Sequence, residues 1–525
     1  MLWSCYFQKT PGRVSSLIVI PSASLDSQLE SVVPSENTSF TDEHITAKFV
    51  DRGATEVVDN GKYIVTPTIE EYEFQTERKV SKTGLMMIGI GGNNGSTLSA
   101  TIRANRHQIT WNTKNGLETP NYIGSLLYAS TFRLGVDSTT SKDIHVPVSE
   151  FLPMVHPNVF VLGGWDISAV PMEKAMTRSK VLDYDLQRQE ARADNVIPGQ
   201  DKQAHLEHIR ADIRKFKQDN ELERLIVFWT ANTERFADII PGVNDTADNL
   251  LKAIKTSHEE VSPSTIFAVA AILEGEPFVN GAPQNTFVPG AIELAEHEKS
   301  FIGGDDLKSG QTKLKSVLAE FLVNTGIKPL SIASYNHLGN NNGHNLSAER
   351  QFRSKEVSKS SVVDDMVAAN RLLFKPPELN DKGTLKDKGE HPDDDVVVIK
   401  YVPAVGDSKR AINEYLPETF CSGRSVANIF NECKDSLLAT PLILDLSILA
   451  ELLTRVKYRK VGEPEFKPLH SVLSLLSYML KAPLVKPGTE VINSLNRQRN
   501  ALEAFLKACL GLEGSSDLLL ETRLW

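Results

Sequence analysis

The sequence predicts an α/β fold built on a doubly wound parallel sheet, and three observations carry that expectation. An apolar run from Leu85 to Ile90 passes through a glycine-rich turn (Gly89, Gly91, Gly92, Gly95) into a helix expected to open at Ser96 and Thr97. Short apolar runs then alternate with segments of helical periodicity as far as Val323. The residues after each run are polar, at the places where ligands gather on the carboxyl edge of such a sheet.

Composition sets the bounds. The chain has 525 residues, 41% of them apolar, enough for several cores, and a net charge of -10 with no compensating basic block. That balance disfavours a nucleic-acid or anionic-membrane partner. Cys5, Cys421, Cys433 and Cys509 are scattered, so neither a metal site nor a disulfide framework is expected. No apolar stretch reaches membrane-spanning length, because Asp445 and Glu451 interrupt Leu442 to Leu453. A soluble, cytoplasmic protein is expected.

Residues 1–25 hold Lys9 and Arg13 but no acid, which reads as a tail or a transit peptide. Lys48 to Phe74 reads as a hairpin turning at Asn60-Gly61. Strands are expected at Val159–Leu162, Leu225–Trp229, Ile266–Leu273 and Phe301-Ile302. Helices are expected at Met172–Glu190, Ala204–Gln218, Thr246–Ser257, Gly290–His297 and Gln311–Val323, the last with Leu314, Val317, Leu318, Phe321 and Leu322 as its core face. Ser331–Tyr335 reads as a short strand, Asn336 to Asn345 as a loop too asparagine-rich for a core, and residues 376–395 as an exposed loop. Val396–Val402 reads as a buried strand leading to Gly406-Asp407-Ser408-Lys409, and Ser436–Ala450, His470–Lys481 and Arg497–Leu510 read as helices.

The chemistry follows from those positions. Small residues in the first glycine turn let the backbone approach a diphosphate, and the helix behind it offers free N–H groups and a positive dipole end. The spacing departs from GxGxxG, so a simple tight turn is the alternative. Asp166, after the second run, could accept from ribose hydroxyls or cap a helix. Thr230, Ala231 and Asn232 follow another strand, and Gly303-Gly304-Asp305-Asp306 opens a second helix, which either receives an anion or is capped by Ser309 or Thr312. Lys355 and Lys359 stand four apart on one helix face amid Ser354, Ser358, Ser360 and Ser361, either a solvated pair or a face that meets something polar.

The runs GGNNGST, WTANTERF, NTFVPGA, GDDLKSGQTK, SYNHLGNN, FRSKEVSKS, VVDDMV, KYVPAVGDSKRA, DSLLATP and LKAPL are ordered along the chain. Together they resemble the myo-inositol-1-phosphate synthase family over residues 45–525. The resemblance implies a Rossmann-like doubly wound NAD-binding domain with an inserted α+β catalytic and tetramerisation domain. Residues 1–44 would be an extension, 45–80 a segment packing on the main domain, 81–312 the NAD-binding domain, 313–435 the inserted domain and 436–525 the helices that complete the first. It also implies redox-neutral conversion of glucose 6-phosphate to inositol phosphate by oxidation, aldol closure and reduction, in a homotetramer.

By the same resemblance, Lys355, Lys359, Lys409 and Lys481 would surround the substrate with Asp306 and Asp435, Lys355 nearest the carbon 5 oxygen. Cofactor contacts would come from Gly92, Asn93, Asn94, Gly95, Asp166, Gln189, Arg192, Thr230, Ala231 and Asn232. Asp306, Ser309, Asn340, Asn341, Asn342, Asp407, Asp435 and Ser436 would lie near the nicotinamide or substrate. Departures from the family pattern occur at Asn342 and Lys434, each in place of an acid, at Phe430 in place of a histidine, and in a stretch missing between Leu186 and Ala191. These keep open a second reading, a non-catalytic relative that retains the fold. Another NAD-dependent sugar-phosphate enzyme is a third.

Overall fold

The structure, a computed structural model, describes residues 33, 35–59, 62–140, 142–168, 170–187, 201–380, 385–393 and 396–514. The expected tail, the Asn60-Gly61 turn, Gln189 and Arg192 lie outside the described residues.

β1 (His44–Asp59) and β2 (Lys62–Glu77) form one long antiparallel ribbon. Its base is anchored by buried Ile45 and Ala47 and by pairing of β2 with Val456–Lys460. The main sheet follows, with β3 (Thr83–Ile88), α1 (Asn93–His107), β4 (Val161–Trp165), α2 (Lys202–Asp219), β5 (Arg224–Trp229), α3 (Pro263–Leu273), β6 (Phe278–Asn280), α4 (Pro289–Glu298) and β7 (Ile302–Gly303). All neighbours are parallel, in the order β7-β6-β5-β3-β4. A strand sandwiched between helical layers is apolar on both faces, so Leu225 to Trp229 are buried without alternation. The order reverses beside β3, which opens a crevice beyond the carboxyl ends of β3 and β5.

Several expectations are corrected here. Ile266–Leu273 is helical, within α3; Ser262 caps it and Pro263 occupies its first turn. It is buried on nearly every side, so its apolar run carries no helical period, and the strand lies just beyond it, at Phe278. The helix from Met172 stops at Ser179, where Lys180 turns left-handed (φ 55°), and Tyr184–Gln187 is a separate turn. α1 opens at Asn93, three residues before Ser96. His470–Lys481 is no α-helix; it holds a 3-10 turn at Ser474–Met479, and on either side its backbone pairs with β7 and the loop after it.

The second layer comprises α5 (Gly310–Asn324), β8 (Lys328–Leu338), α6 (Glu349–Ser360), β9 (Val397–Tyr401), β10 (Ser408–Glu418) and β11 (Ala427–Lys434), with sheet order β9-β8-β10-β11. β9 is an edge strand and half exposed, because only β8 covers it. The face of α5 is the reverse of the expected one: Leu314, Val317 and Phe321 are exposed, whereas Gln311, Lys315, Ser316, Ala319 and Glu320 are buried. Its inner stripe is polar because it meets polar groups. Lys315 donates to the Lys359 carbonyl and Glu320 accepts from Ser494.

α7 (Asp435–Thr454) is long and apolar enough to cross a membrane, yet it runs through the core with most of its length covered. Its acids are satisfied internally. Asp445 accepts from the Leu126 amide (2.6 Å) and Ser125, and Glu451 pairs with Arg455, both fully buried. α8 (Leu495–Ala508) closes the same core.

Candidate active site

A cavity of about 1190 Å³ runs from the carboxyl ends of β3 and β5 to the inner face of α6. At one end is the glycine turn. A Cβ on Gly89, which has φ 88°, would lie 2.8 Å from the Ala231 backbone, and one on Gly95 would lie 2.6 Å from the Gly89 carbonyl. Glycine is therefore required for the turn to pass this close to β5 and for α1 to pack on it. No side chain caps α1, whose N-cap Gly92 lines the cavity with Asn93 and Asn94. Uncapped N–H groups at a positive dipole end are suited to a diphosphate.

Asp166 caps no helix among the described residues; it braces the glycine turn and borders the cleft. It accepts from the Gly91 amide (2.8 Å) and the Ser168 amide (3.0 Å), and it lines the cavity. Thr230 holds the turn by donating to the Ile88 carbonyl at 2.9 Å, and with Ala231 and Asn232 it borders the same space. Asn340 caps the short helix Asn341–Asn345, and Asn342 accepts from Thr233; these three asparagine-loop residues, Ser309 and Ser436 line the wall. Ser309 is the N-cap of α5 but makes no side-chain cap, so that helix end is open to an anion.

Two expected contacts are not on the lining. Gly95 is packed beneath the turn. Asp407 stands behind it, accepting from Asn93 (2.7 Å) and Ser436 (3.4 Å), and burial pushes its carboxyl up to about 6.

The lysines converge at the other end. The loop after β7 is laced to the returning C-terminal segment: Asp305 donates to the Ala482 carbonyl, Lys481 to that of Asp306, and Lys308 to that of Met479. This ladder fixes Asp306, in left-handed backbone at φ 59°, beside Lys481. α6 then delivers Lys355 and Ser358 to the same carboxylate. Asp306 lies 2.9 Å and 3.0 Å from Lys355 Nζ, 2.9 Å from Lys481 Nζ and 2.6 Å from Ser358 Oγ. Lys409 stands 3.7 Å from Asp435 at the end of β11.

The electrostatics follow from four ammonium groups and two carboxylates in one buried space. Burial opposes charge on Asp306, but Lys355 and Lys481 win and hold its carboxyl well below the usual range. Burial likewise opposes the charge of Lys355, which Asp306 more than restores. Lys359, whose ammonium has no carboxylate partner among the described residues, is pushed well down by burial and then by Lys409, Lys481, Lys355 and Lys315. Lys481 is pushed well down too, by burial and by Lys355 and Lys409 against the attraction of Asp306, so the nest combines a fixed cation, Lys355, with two lysines poised to give up a proton.

Of the serines the sequence sets around Lys355, Ser358, three residues after it on the same helix face, is the one that reaches Asp306. Arg178, which donates to the Gly91 carbonyl (3.0 Å), and Glu234, whose carboxyl burial pushes up to about 7 at the start of α3, carried no local signal.

Comparison with known proteins places the chain in a family. The NAD-binding family model described as myo-inositol-1-phosphate synthase matches residues 83–189 and 187–507. The break falls in the stretch where the sequence is shorter than the family pattern. The inositol-3-phosphate synthase of Dictyostelium discoideum is 49% identical over 516 residues, covering 94% of this chain and 98% of that one. That of Saccharomyces cerevisiae is 49% identical over 531 residues, covering 94% and 97%. The crystal structure of inositol-3-phosphate synthase from Caenorhabditis elegans superposes with a TM-score of 0.88 at 48% identity, covering 94% of this chain and 99% of that one. The chain belongs to the myo-inositol-1-phosphate synthase family.

Proposed function

We propose that this chain converts glucose 6-phosphate to 1D-myo-inositol 3-phosphate, using NAD without net consumption. The nest of Lys355, Lys359, Lys409 and Lys481 about Asp306 and Asp435, at the far end of a cleft that opens on a glycine turn, carries the reading. The donor set fits NAD: an uncapped helix end for the diphosphate, Asp166 for the ribose, and Thr230 to Asn232 along the cleft. Bound NAD supplies a hydride acceptor at carbon 5 and later the hydride that restores it.

The chain's own groups manage charge and protons. Lys355, kept protonated by Asp306, faces the carbon 5 oxygen and stabilises the negative charge it bears as enolate. Lys359, with its depressed proton affinity, accepts the carbon 5 hydroxyl proton as the hydride leaves and returns it to that oxygen at the final reduction, while Lys481, whose proton affinity burial also lowers, accepts the proton from the adjacent carbon of the ketone. The carbon–carbon bond then forms between that carbon and the carbon 1 aldehyde, and an ammonium group protonates the resulting alkoxide. The open N-terminus of α5 at Ser309, with the remaining lysines, serves the phosphate.

The alternative, a non-catalytic relative, loses support where the departures fall. Phe430 is exposed on the second sheet, Asn342 is hydrogen-bonded to Thr233, and the four lysines and both carboxylates are intact. A homotetramer in the cytoplasm completes the proposal. Its support is an exposed apolar row, Val398, Tyr335, Ile412 and Phe430, in register across the open face of the second sheet, with Phe321 exposed on α5. The test is incubation with glucose 6-phosphate and catalytic NAD, followed by phosphorus NMR. Inositol phosphate formed without net NADH is expected; NAD binding with no product would favour the non-catalytic relative.

A further inference from the structure

Lys434 ends β11 and serves as the N-cap position of α7, one residue before Asp435. It is not part of the cavity lining. Its ammonium reaches instead to the wall of the cofactor cleft, donating to the carbonyls of Val181 at 2.6 Å and Lys180 at 3.3 Å. Those carbonyls belong to the first two residues after the helix Met172–Ser179, so the cation ties down the turn in which that helix ends.

The same helix carries Arg178, which lines the cavity and donates to the Gly91 carbonyl at 3.0 Å. The Gly91 amide in turn is held by Asp166 at 2.8 Å. Lys434, the helix, Arg178 and Gly91 thus form a continuous hydrogen-bonded strap from the catalytic sheet to the glycine turn. A turn that must present its amides to a diphosphate works best when it is fixed beforehand, since ordering it on binding costs affinity.

We propose that Lys434 is a positioning residue for the cofactor: it pins the helix Met172–Ser179 to the catalytic sheet and, through Arg178, holds the glycine turn in its binding conformation. The proposal rests on the functional reading only in taking NAD as the ligand. It makes Lys434, which lies outside the cavity, a determinant of NAD affinity rather than of the chemical step.

The test is calorimetric titration of NAD into the cofactor-free full-length protein and its variants. Lys434→Met is expected to weaken NAD about 10-fold, the worth of a charge-assisted hydrogen bond. Lys434→Arg, which keeps a cationic donor, should stay within about 3-fold of wild type. With saturating NAD, the kcat and the KM for glucose 6-phosphate of Lys434→Met should remain near wild type. Because both residues act through one strap, adding Lys434→Met to Arg178→Met should weaken binding far less than the product of the single effects.

An unchanged NAD affinity in Lys434→Met, equal weakening by the arginine variant, or multiplicative effects in the double variant would each overturn the proposal. Should Lys434→Met fail to fold, Lys434→Gln is judged by the same criteria. Wild-type protein that bound no NAD would instead contradict the functional reading.

Discussion

Replacing Asp306 by asparagine tests the electrostatic design of the site. The carboxylate is buried and meets Lys355 at 2.9 Å, Lys481 at 2.9 Å and Ser358 at 2.6 Å. At an effective dielectric of about 20, each ion pair at this separation is worth about 6 kcal/mol of gross attraction. Relaxation and loss of protons from the lysines absorb part of this, leaving a net destabilisation of about 3–5 kcal/mol, as for a broken buried pair. The pH dependence discriminates further. In wild type, Asp306 raises the proton affinity of Lys355, so its stabilisation is complete at neutral pH and is lost only as pH rises through that raised pKa.

In Asp306→Asn, the largest attraction that offsets burial of the Lys355 ammonium is gone and the folded pKa falls below the unfolded one. The unfolded state then binds more protons, so the variant gains stability as pH rises from neutral, and its deficit against wild type shrinks by pH ~10. Denaturant unfolding at the two pH values measures this. The same variant should lose at least about 100-fold in kcat, because Lys355 no longer holds its charge against the carbon 5 oxygen. A deficit under about 1 kcal/mol at neutral pH, with kcat within 10-fold of wild type, would refute the reasoning.

Lys359→Met should abolish most turnover while leaving unfolding stability equal or higher, because it removes a buried ammonium crowded by Lys409, Lys481 and Lys355; paired activity and denaturation measurements check both halves. Gly95→Ala should weaken NAD at least about 10-fold in calorimetry and lower the melting temperature, since its Cβ would lie 2.6 Å from the Gly89 carbonyl and Ile90 backbone. Glu234, pushed up to about 7 by burial, binds a proton in the folded state at pH values where the unfolded carboxyl has lost it. Its contribution to stability therefore falls as pH rises from about 4.5 to 7, and Glu234→Gln should flatten that slope in unfolding measurements. Ile412→Asp, on the exposed apolar row, should shift light-scattering mass toward the monomer.

What the sequence disclosed depended on how local the cause was. The glycine turn was legible because its backbone constraint falls on Gly89 and Gly95 themselves. Lys355 and Lys359 were legible because helical spacing alone puts them on one face. α3 was misread because a helix buried on all sides has no period, and α5 because its inner stripe is polar where it meets Lys359 and Ser494. The meeting of Asp306 with Lys481 depends on a ladder between segments far apart in the chain, which no local pattern encodes. Asp407 was placed at the cofactor from its motif, yet the fold sets it one layer back, behind Asn93.

The central claim is that carbon 5 is oxidised and then restored within one closed site. The most direct measurement follows deuterium at carbon 5 of glucose 6-phosphate through turnover with catalytic, unlabelled NAD. Inositol phosphate that retains the deuterium is expected, with none accumulating in the nicotinamide pool. Cyclised product from which the deuterium has been lost to solvent, or reduced cofactor accumulating without product, would contradict it.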